Sequence, residues 1–335
     1  GLWISPIYPS PDVDFGYDVS NYMDVDPKYG TMRDFEELVA GARERGMHII
    51  LDLVLAHTSD QHPWFVEARQ SRESARRDWY IWRDPKPGGG RPNNWESIFG
   101  GPAWELDPAS GQYYYHMFYK QQPDLNWRNP AVRAEMMEVF RFWADKGISG
   151  FRLDVFNNYF KDARFRDNPT KFGLRGFDRQ QHIHDTNQPE MVGVVQEIRR
   201  LVDAYPQSYV VGETFLNHAW ATEYVGEDKL HAAFNFEMLG SPFSAQRYFQ
   251  AVQRWEGGLA ESAWPNYVLN NHDNPRTATR FGQGERDERL KVAAAMLLTL
   301  RGTPFIYYGE EIGMRDIRIT RKMVQDPIGK RYWPF

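Results

Sequence analysis

Apolar residues along this chain follow two alternating rhythms. Short, near-continuous apolar runs at Leu2–Tyr8, His48–Leu55, Gly150–Val155, Tyr209–Glu213, His231–Phe236, Tyr267–Asn271 and Pro304–Tyr308 predict seven β-strands. Between them apolar positions recur three and four residues apart, which predicts amphipathic helices. Thr31-Met32-Arg33-Asp34 has the spacing of a capping box, with Phe35, Leu38, Val39 and Ala42 on one face and Gly46 as the stop. Asn129-Pro130 opens a second helix, which turns Val132, Met136, Val139, Phe140 and Trp143 inward and ends before Gly147. Further helices are predicted over Pro189–Ala204, Phe243–Trp255 and Arg286–Leu300. Apolar strands alternating with helices mean an α/β protein with a parallel sheet.

One connection breaks the rhythm. Roughly seventy residues separate His57 from Asn129, where a strand-to-helix loop has about 2–6. The stretch is rich in Trp, Pro and Gly, and Trp104–Leu106 and Tyr113–Phe118 predict a hairpin around the turn 107–111. It reads as a small subdomain inserted over one end of the sheet. Gly88-Gly89-Gly90 inside it reads as a flexible loop rather than a phosphate cradle, because no Lys-Ser/Thr follows it.

Composition narrows the classes. With 335 residues, 41% of them hydrophobic and 25% charged, the chain has enough apolar surface for a large core and the balance of a soluble globular protein. A net charge of −5 does not favour a nucleic-acid groove or an anionic membrane surface. The longest apolar run, Val292–Leu298, is too short to span a bilayer. The absence of cysteine excludes disulfides and thiolate metal sites and fits a reducing, cytoplasmic location. The 12 Trp residues are read first as packing; a cleft that stacks sugar rings is the sharper alternative.

Polar residues gather at one end of the strand patterns. His57 follows Leu51-Asp52-Leu53-Val54-Leu55, Asp154 lies near the end of its run, Glu213 follows Val210-Val211-Gly212, and His272-Asp273 follow Val268–Asn271. A lone histidine at such a place is usually a satisfied core residue. Three carboxylates and two histidines at four strand ends instead suggest one shared site, because the strands of a parallel barrel open their C-terminal ends on one face. In Gly150-Phe151-Arg152-Leu153-Asp154, Arg152 and Asp154 are two apart and share a face. If both faces are covered, that charged pair needs a chemical reason to exist. Glycoside hydrolysis supplies one: a carboxylate that stays ionised as nucleophile, and another that holds a proton for the leaving oxygen. A neighbouring guanidinium favours an ionised Asp154, and an apolar setting favours a protonated Glu213.

These segments resemble, in order along the chain, those of glycoside hydrolase family 13, the α-amylase family, and its α-glucosidase/oligo-1,6-glucosidase branch. Gly150–Asp154 resembles the nucleophile strand, Gly212-Glu213-Thr214 the acid/base strand, and Asn271-His272-Asp273 the strand of the third carboxylate. Asp52–His57 resembles the strand whose His touches the sugar, and Gln122-Pro123-Asp124-Leu125-Asn126 the signature that closes the inserted domain. Asp14-Phe15-Gly16-Tyr17-Asp18 resembles the loop of the glucose pocket.

The resemblance implies a (β/α)8 TIM barrel, built from 1–57 and 129–335 and lacking its first strand and helix, with subdomain B at 58–128 after the third strand. It implies that Asp154 attacks the anomeric carbon, that Glu213 is acid and then base, and that Asp273 and His272 grip ring hydroxyls. His57 would bond the 6-hydroxyl, Arg152 orient the nucleophile, Asp14 bond the non-reducing end, Tyr17 form a stacking floor, and Arg276 join the substrate-binding set. Val155 is the implied specificity position, since Val after the nucleophile goes with α-1,6 substrates in this branch and Thr or Ala with α-1,4. The implied partner is an oligosaccharide or disaccharide, with no nucleic acid and no membrane. No cofactor is required, and a structural calcium site outside or at the start of the chain stays compatible.

Three departures stand out. Ala56 occupies a position where the family usually has Asn. The first strand and helix should precede Gly1, and the chain stops at Arg331–Phe335, before the family's next glucose-site Arg and its C-terminal β-domain. The chain therefore reads as an internal stretch that is expected to need flanking segments for solubility and turnover. Transglycosylation or sugar isomerisation is the nearest alternative activity. A metal-dependent barrel hydrolase using His182-Ile183-His184, or a non-catalytic partner subunit, is more remote.

Overall fold

Among the described residues, seven strand segments in parallel pairings overlap the seven apolar runs, and each is shorter than its run. The computed structural model describes residues 1–214, 218–282, 287–326 and 329–330. In chain order the strands are β1 (Leu2–Ile4), β2 (Ile49–Leu53), β3 (Trp82–Arg83), β4 (Trp104–Asp107), β5 (Gln112–Tyr115), β6 (Gly150–Leu153), β7 (Tyr209–Gly212), β8 (Ala232–Ala233), β9 (Asn266–Val268) and β10 (Thr303–Phe305). Local chemistry ends several of them early. Pro6 has no N–H to extend the β1 ladder. Asn235 caps a helix at Phe236–Gly240 by accepting from Met238 N, which removes the expected end of β8. Val155 is not in β6 as expected; its backbone is left-handed, with φ +33° and ψ +46°.

The chain divides into two compact units, one of Gly1–Tyr209 with Gln325–Phe335 and one of Val210–Val324. In the first, β1, β2 and β6 run parallel in that order, with Ile4 beside Leu51 and Asp52 beside Arg152. The helix Met32–Glu44 begins with the expected capping box of Thr31 and Asp34, and Gly46 follows its end with φ +65°. The helix Pro130–Asp145 is capped by Asn129 and buries Val132, Met136, Val139, Phe140 and Trp143. Trp143 packs edge-on against Phe35 at 5.0 Å, so the two helices share one core. Gly150 permits close backbone approach at the start of β6: a Cβ there would lie 2.4 Å from Tyr209 O.

Residues 58–128 carry the predicted hairpin as β4 and β5. The short strand β3 adds to it, giving an antiparallel sheet of order β3–β5–β4. Gly88 and Gly89 form a tight turn with positive φ, closed by Lys86 N donating to Gly90 O. Asn93, Asn94 and Trp95 stitch this region to the loop after β6, through bonds to Phe165 O, Asn168 O and Arg166 O at 2.9–3.1 Å.

In the second unit β7 pairs parallel with β8, and β9 with β10. Helices Ala245–Gly258 and Glu288–Thr299 pack Tyr248, Trp255, Ala293 and Leu297 with Tyr267 and Leu269 into one core. Arg286, the expected start of the latter helix, and Arg331–Phe335 lie outside the described residues. Among the described residues no helix is long and apolar enough to cross a membrane.

Candidate active site

The site is built from the register of two strands. Asp52 on β2 and Arg152 on β6 are direct neighbours in the parallel ladder, so their side chains leave the sheet on the same face. Arg152 Nη1 donates to Asp52 Oδ1 at 2.8 Å and Oδ2 at 3.0 Å, and to Asp154 Oδ1 at 2.6 Å. Arg152 is 1% exposed, and Asp52 and Asp154 are buried too. The charged pair of the β6 motif is therefore interior, held by mutual pairing rather than by water. Two carboxylates share one guanidinium, which itself lies over the Trp3 ring at 5.1 Å.

Asp52 lies inside the Asp52–His57 motif, where the sequence pattern assigns it no role. In the fold it is the hub. Its side chain accepts from Tyr17 OH at 3.0 Å, and its backbone carbonyl accepts from Tyr8 OH at 2.8 Å. Burial pushes the Asp52 carboxyl up, the Arg152 guanidinium pulls it down, and Asp154 adds to the rise. The available signal was a charge inside an apolar run; what it lacked was the neighbouring strand.

On the other flank, buried Gln122 gathers two more of the expected residues. Its Nε2 donates to Asp14 Oδ2 at 2.8 Å and lies 3.0 Å from His57 Nε2, while its Oε1 accepts from Tyr119 N at 3.1 Å. His57 Nε2 also lies 3.1 Å from Tyr17 O. Burial lowers the His57 pKa, so the ring is neutral near pH 7, and its buried Nδ1 has no hydrogen-bond partner among the described residues. Ala56, where the resemblance had placed a polar support, is buried, and the polar contacts of His57 come from Gln122 and Tyr17 instead. Asp14, Tyr17, His57, Arg152 and Asp154 thus converge within the first unit.

A buried ion pair supports this group from behind. Lys161 Nζ lies 3.0 Å from Asp124 Oδ1, with both side chains at most 2% exposed, and Lys161 also donates to Asn158 O. Asp124 Oδ2 accepts from Met117 N at 2.7 Å. The pair joins the segment that carries Gln122 to the loop that follows Asp154. A cavity of about 660 Å³ in this unit, between Arg77, Trp82 and Lys161, includes none of Asp14, His57 or Asp154.

The second unit holds the remaining expected residues. Glu213 directly follows β7 and is buried. His272 and Asp273 lie in a turn beyond β9, with His272 Nε2 3.5 Å from Asp273 Oδ1 and Asp273 half exposed. Asn271 Oδ1 shapes that turn by accepting from Asp273 N at 3.0 Å and Asn274 Nδ2 at 2.7 Å. Arg276 Nη1 donates to Tyr308 O at 2.7 Å, and the guanidinium lies over the Tyr307 and Tyr308 rings.

His182 is engaged on both nitrogens, by Asp185 Oδ2 and Phe177 O, each at 2.8 Å. Among the described residues no group of three or more His, Asp and Glu is arranged to hold a metal ion.

The sequence model of the α-amylase catalytic domain matches residues 1–330. The chain belongs to the α-amylase family. It is 43% identical over 349 aligned residues to a probable α-glucosidase of Rhizobium meliloti (strain 1021), covering 99% of this chain and 63% of that protein. It is 40% identical to an oligo-1,6-glucosidase of Parageobacillus thermoglucosidasius, covering 95% of this chain and 59% of that one. The crystal structure of an α-glucosyl transfer enzyme, XgtA, superposes with a TM-score of 0.95 at 39% identity, over 99% of this chain and 64% of that one. The chain thus spans about three fifths of the length of these α-amylase-family relatives.

Proposed function

We propose that the protein is a retaining α-glucosidase acting on short α-glucosides, with Asp154 as nucleophile and Glu213 as acid/base. The observation that carries this reading is the buried Asp52–Arg152–Asp154 array at the end of β6, in a chain of this family. Asp154 attacks the anomeric carbon while Glu213 protonates the departing glycosidic oxygen, leaving a covalent glycosyl ester. Glu213 then takes a proton from water, whose oxygen displaces Asp154. The family resemblance assigns Asp14, Tyr17 and His57 to the glucosyl unit, His272 and Asp273 to ring hydroxyls, and Arg276 to the substrate-binding set. The parallel strands are read as part of a (β/α)8 barrel with residues 58–128 inserted, and the lack of cysteine supports a cytoplasmic reading.

The test is incubation of the intact protein with maltose, isomaltose, sucrose, trehalose and trehalose 6-phosphate, followed by NMR. The first-formed glucose should be the α-anomer. Initial β-anomer, or no turnover of any of these, overturns the reading. Likeness to an α-glucosyl transfer enzyme supports a second outcome, in which the glucosyl ester passes to an acceptor sugar rather than to water. New disaccharides in the same spectra report it.

Linkage preference is assigned to Val155. A branched apolar side chain beside the nucleophile would shape the site for an α-1,6-linked leaving sugar. Val155→Thr is expected to raise the maltose/isomaltose rate ratio, and an unchanged ratio removes Val155 from that role.

A further inference from the structure

Val155 carries a second anomaly, in its backbone. A β-branched residue in the left-handed region is an outlier, because its Cβ branches crowd the adjacent carbonyl. Here the conformation is held from both sides. Asp154 N donates to Leu53 O at 3.0 Å, so the chain is still tied to β2 one residue earlier. Beyond Val155, Asn158 N donates to Val155 O at 2.9 Å, and Asn187 N donates to Asn157 O at 2.7 Å. The isopropyl group is itself buried. On the opposite flank Phe15, which follows Asp14, is likewise left-handed, with φ +49°.

We propose that Val155 is a positioning residue whose strained backbone turns the chain out of β6 directly after Asp154 and holds that carboxylate on Arg152. Glycine would adopt the same turn without strain but would also visit other wells. The buried, stiff Val side chain keeps the single conformation. This rests on the assignment of Asp154 as nucleophile, and it differs from the linkage role, which concerns the leaving sugar rather than the carboxylate.

The experiment compares Val155→Gly with Val155→Ala in the intact protein, by calorimetry and by kcat and KM on an α-glucoside that the wild type hydrolyses. Both variants lose the packing of the isopropyl group, so the difference between them reads the backbone. At an extended position the Gly variant would melt below the Ala variant. At a left-handed one it should melt above it, by about 1–3 °C. Because Gly frees the turn, its kcat should fall about 10–100-fold below that of the Ala variant, with KM changed much less.

A Gly variant melting below the Ala variant overturns the strain. A higher melting point with equal kcat overturns the positioning role alone. Absence of α-glucoside turnover by the wild type overturns the underlying assignment, and the positioning role with it. If both variants fail to fold, the same comparison is read with Val155→Asn against Val155→Thr, since Asn tolerates the left-handed region and Thr does not.

Discussion

Asp154→Asn is expected to lower α-glucoside turnover by about three to five powers of ten. The amide is nearly isosteric, and its oxygen can still accept from Arg152 Nη1, which stands 2.6 Å from Asp154 Oδ1. Asp52 continues to pair the guanidinium. The variant should therefore fold with a melting temperature close to that of the wild type while lacking the anion that forms the glycosyl ester. Glu213→Gln should cost a similar factor on natural disaccharides, since a primary amide cannot protonate the leaving oxygen. Its deficit should shrink on aryl glucosides, whose leaving groups need little protonation, whereas that of Asp154→Asn should not. Near-normal turnover of Asp154→Asn, or equal losses of the Glu213 variant on both substrate types, would remove these role assignments.

Lys161→Met is expected to destabilise the protein by about 3–5 kcal/mol, a fall of roughly 4–7 °C in Tm for a chain of this length. The cause is the carboxylate left behind. Asp124 is almost fully buried, and without Lys161 its charge keeps, among the described residues, the Met117 N–H as hydrogen-bond donor to its side chain. Replacing both partners, Lys161→Met with Asp124→Leu, should recover much of the loss, because an apolar pair of similar volume carries no unpaired charge. Differential scanning calorimetry on the two variants checks both statements. A Lys161→Met protein melting within about 2 °C of the wild type would mean that the pair contributes little.

Helix positions and strand identities were legible because they depend on short-range chemistry. A capping box at Thr31–Asp34, a Pro at the first turn of Pro130–Asp145 and alternating apolar runs act within a few residues, whatever surrounds them. The candidate residues were legible for a related reason: buried charges among apolar neighbours stand out as costs that need an explanation. Strand ends were less so. Whether a residue still belongs to a ladder depends on the partner strand and on competing caps, as Asn235 and Pro6 illustrate.

The sequence by itself determined the α/β pattern and the long interruption between His57 and Asn129, and it singled out most candidates for the site, since these follow from local periodicity and from motif order. Only the tertiary structure decided how they are held. That Asp52 stands beside Arg152 is a matter of strand register across 100 positions. That Gln122 reaches both Asp14 and His57, and that Lys161 neutralises Asp124, depends on contacts between segments that are far apart in the chain. The left-handed turn at Val155 runs against the residue's own preference, so no reading of local propensity would propose it. It exists because bonds on both sides of the turn constrain the backbone more strongly than the intrinsic preference of one valine.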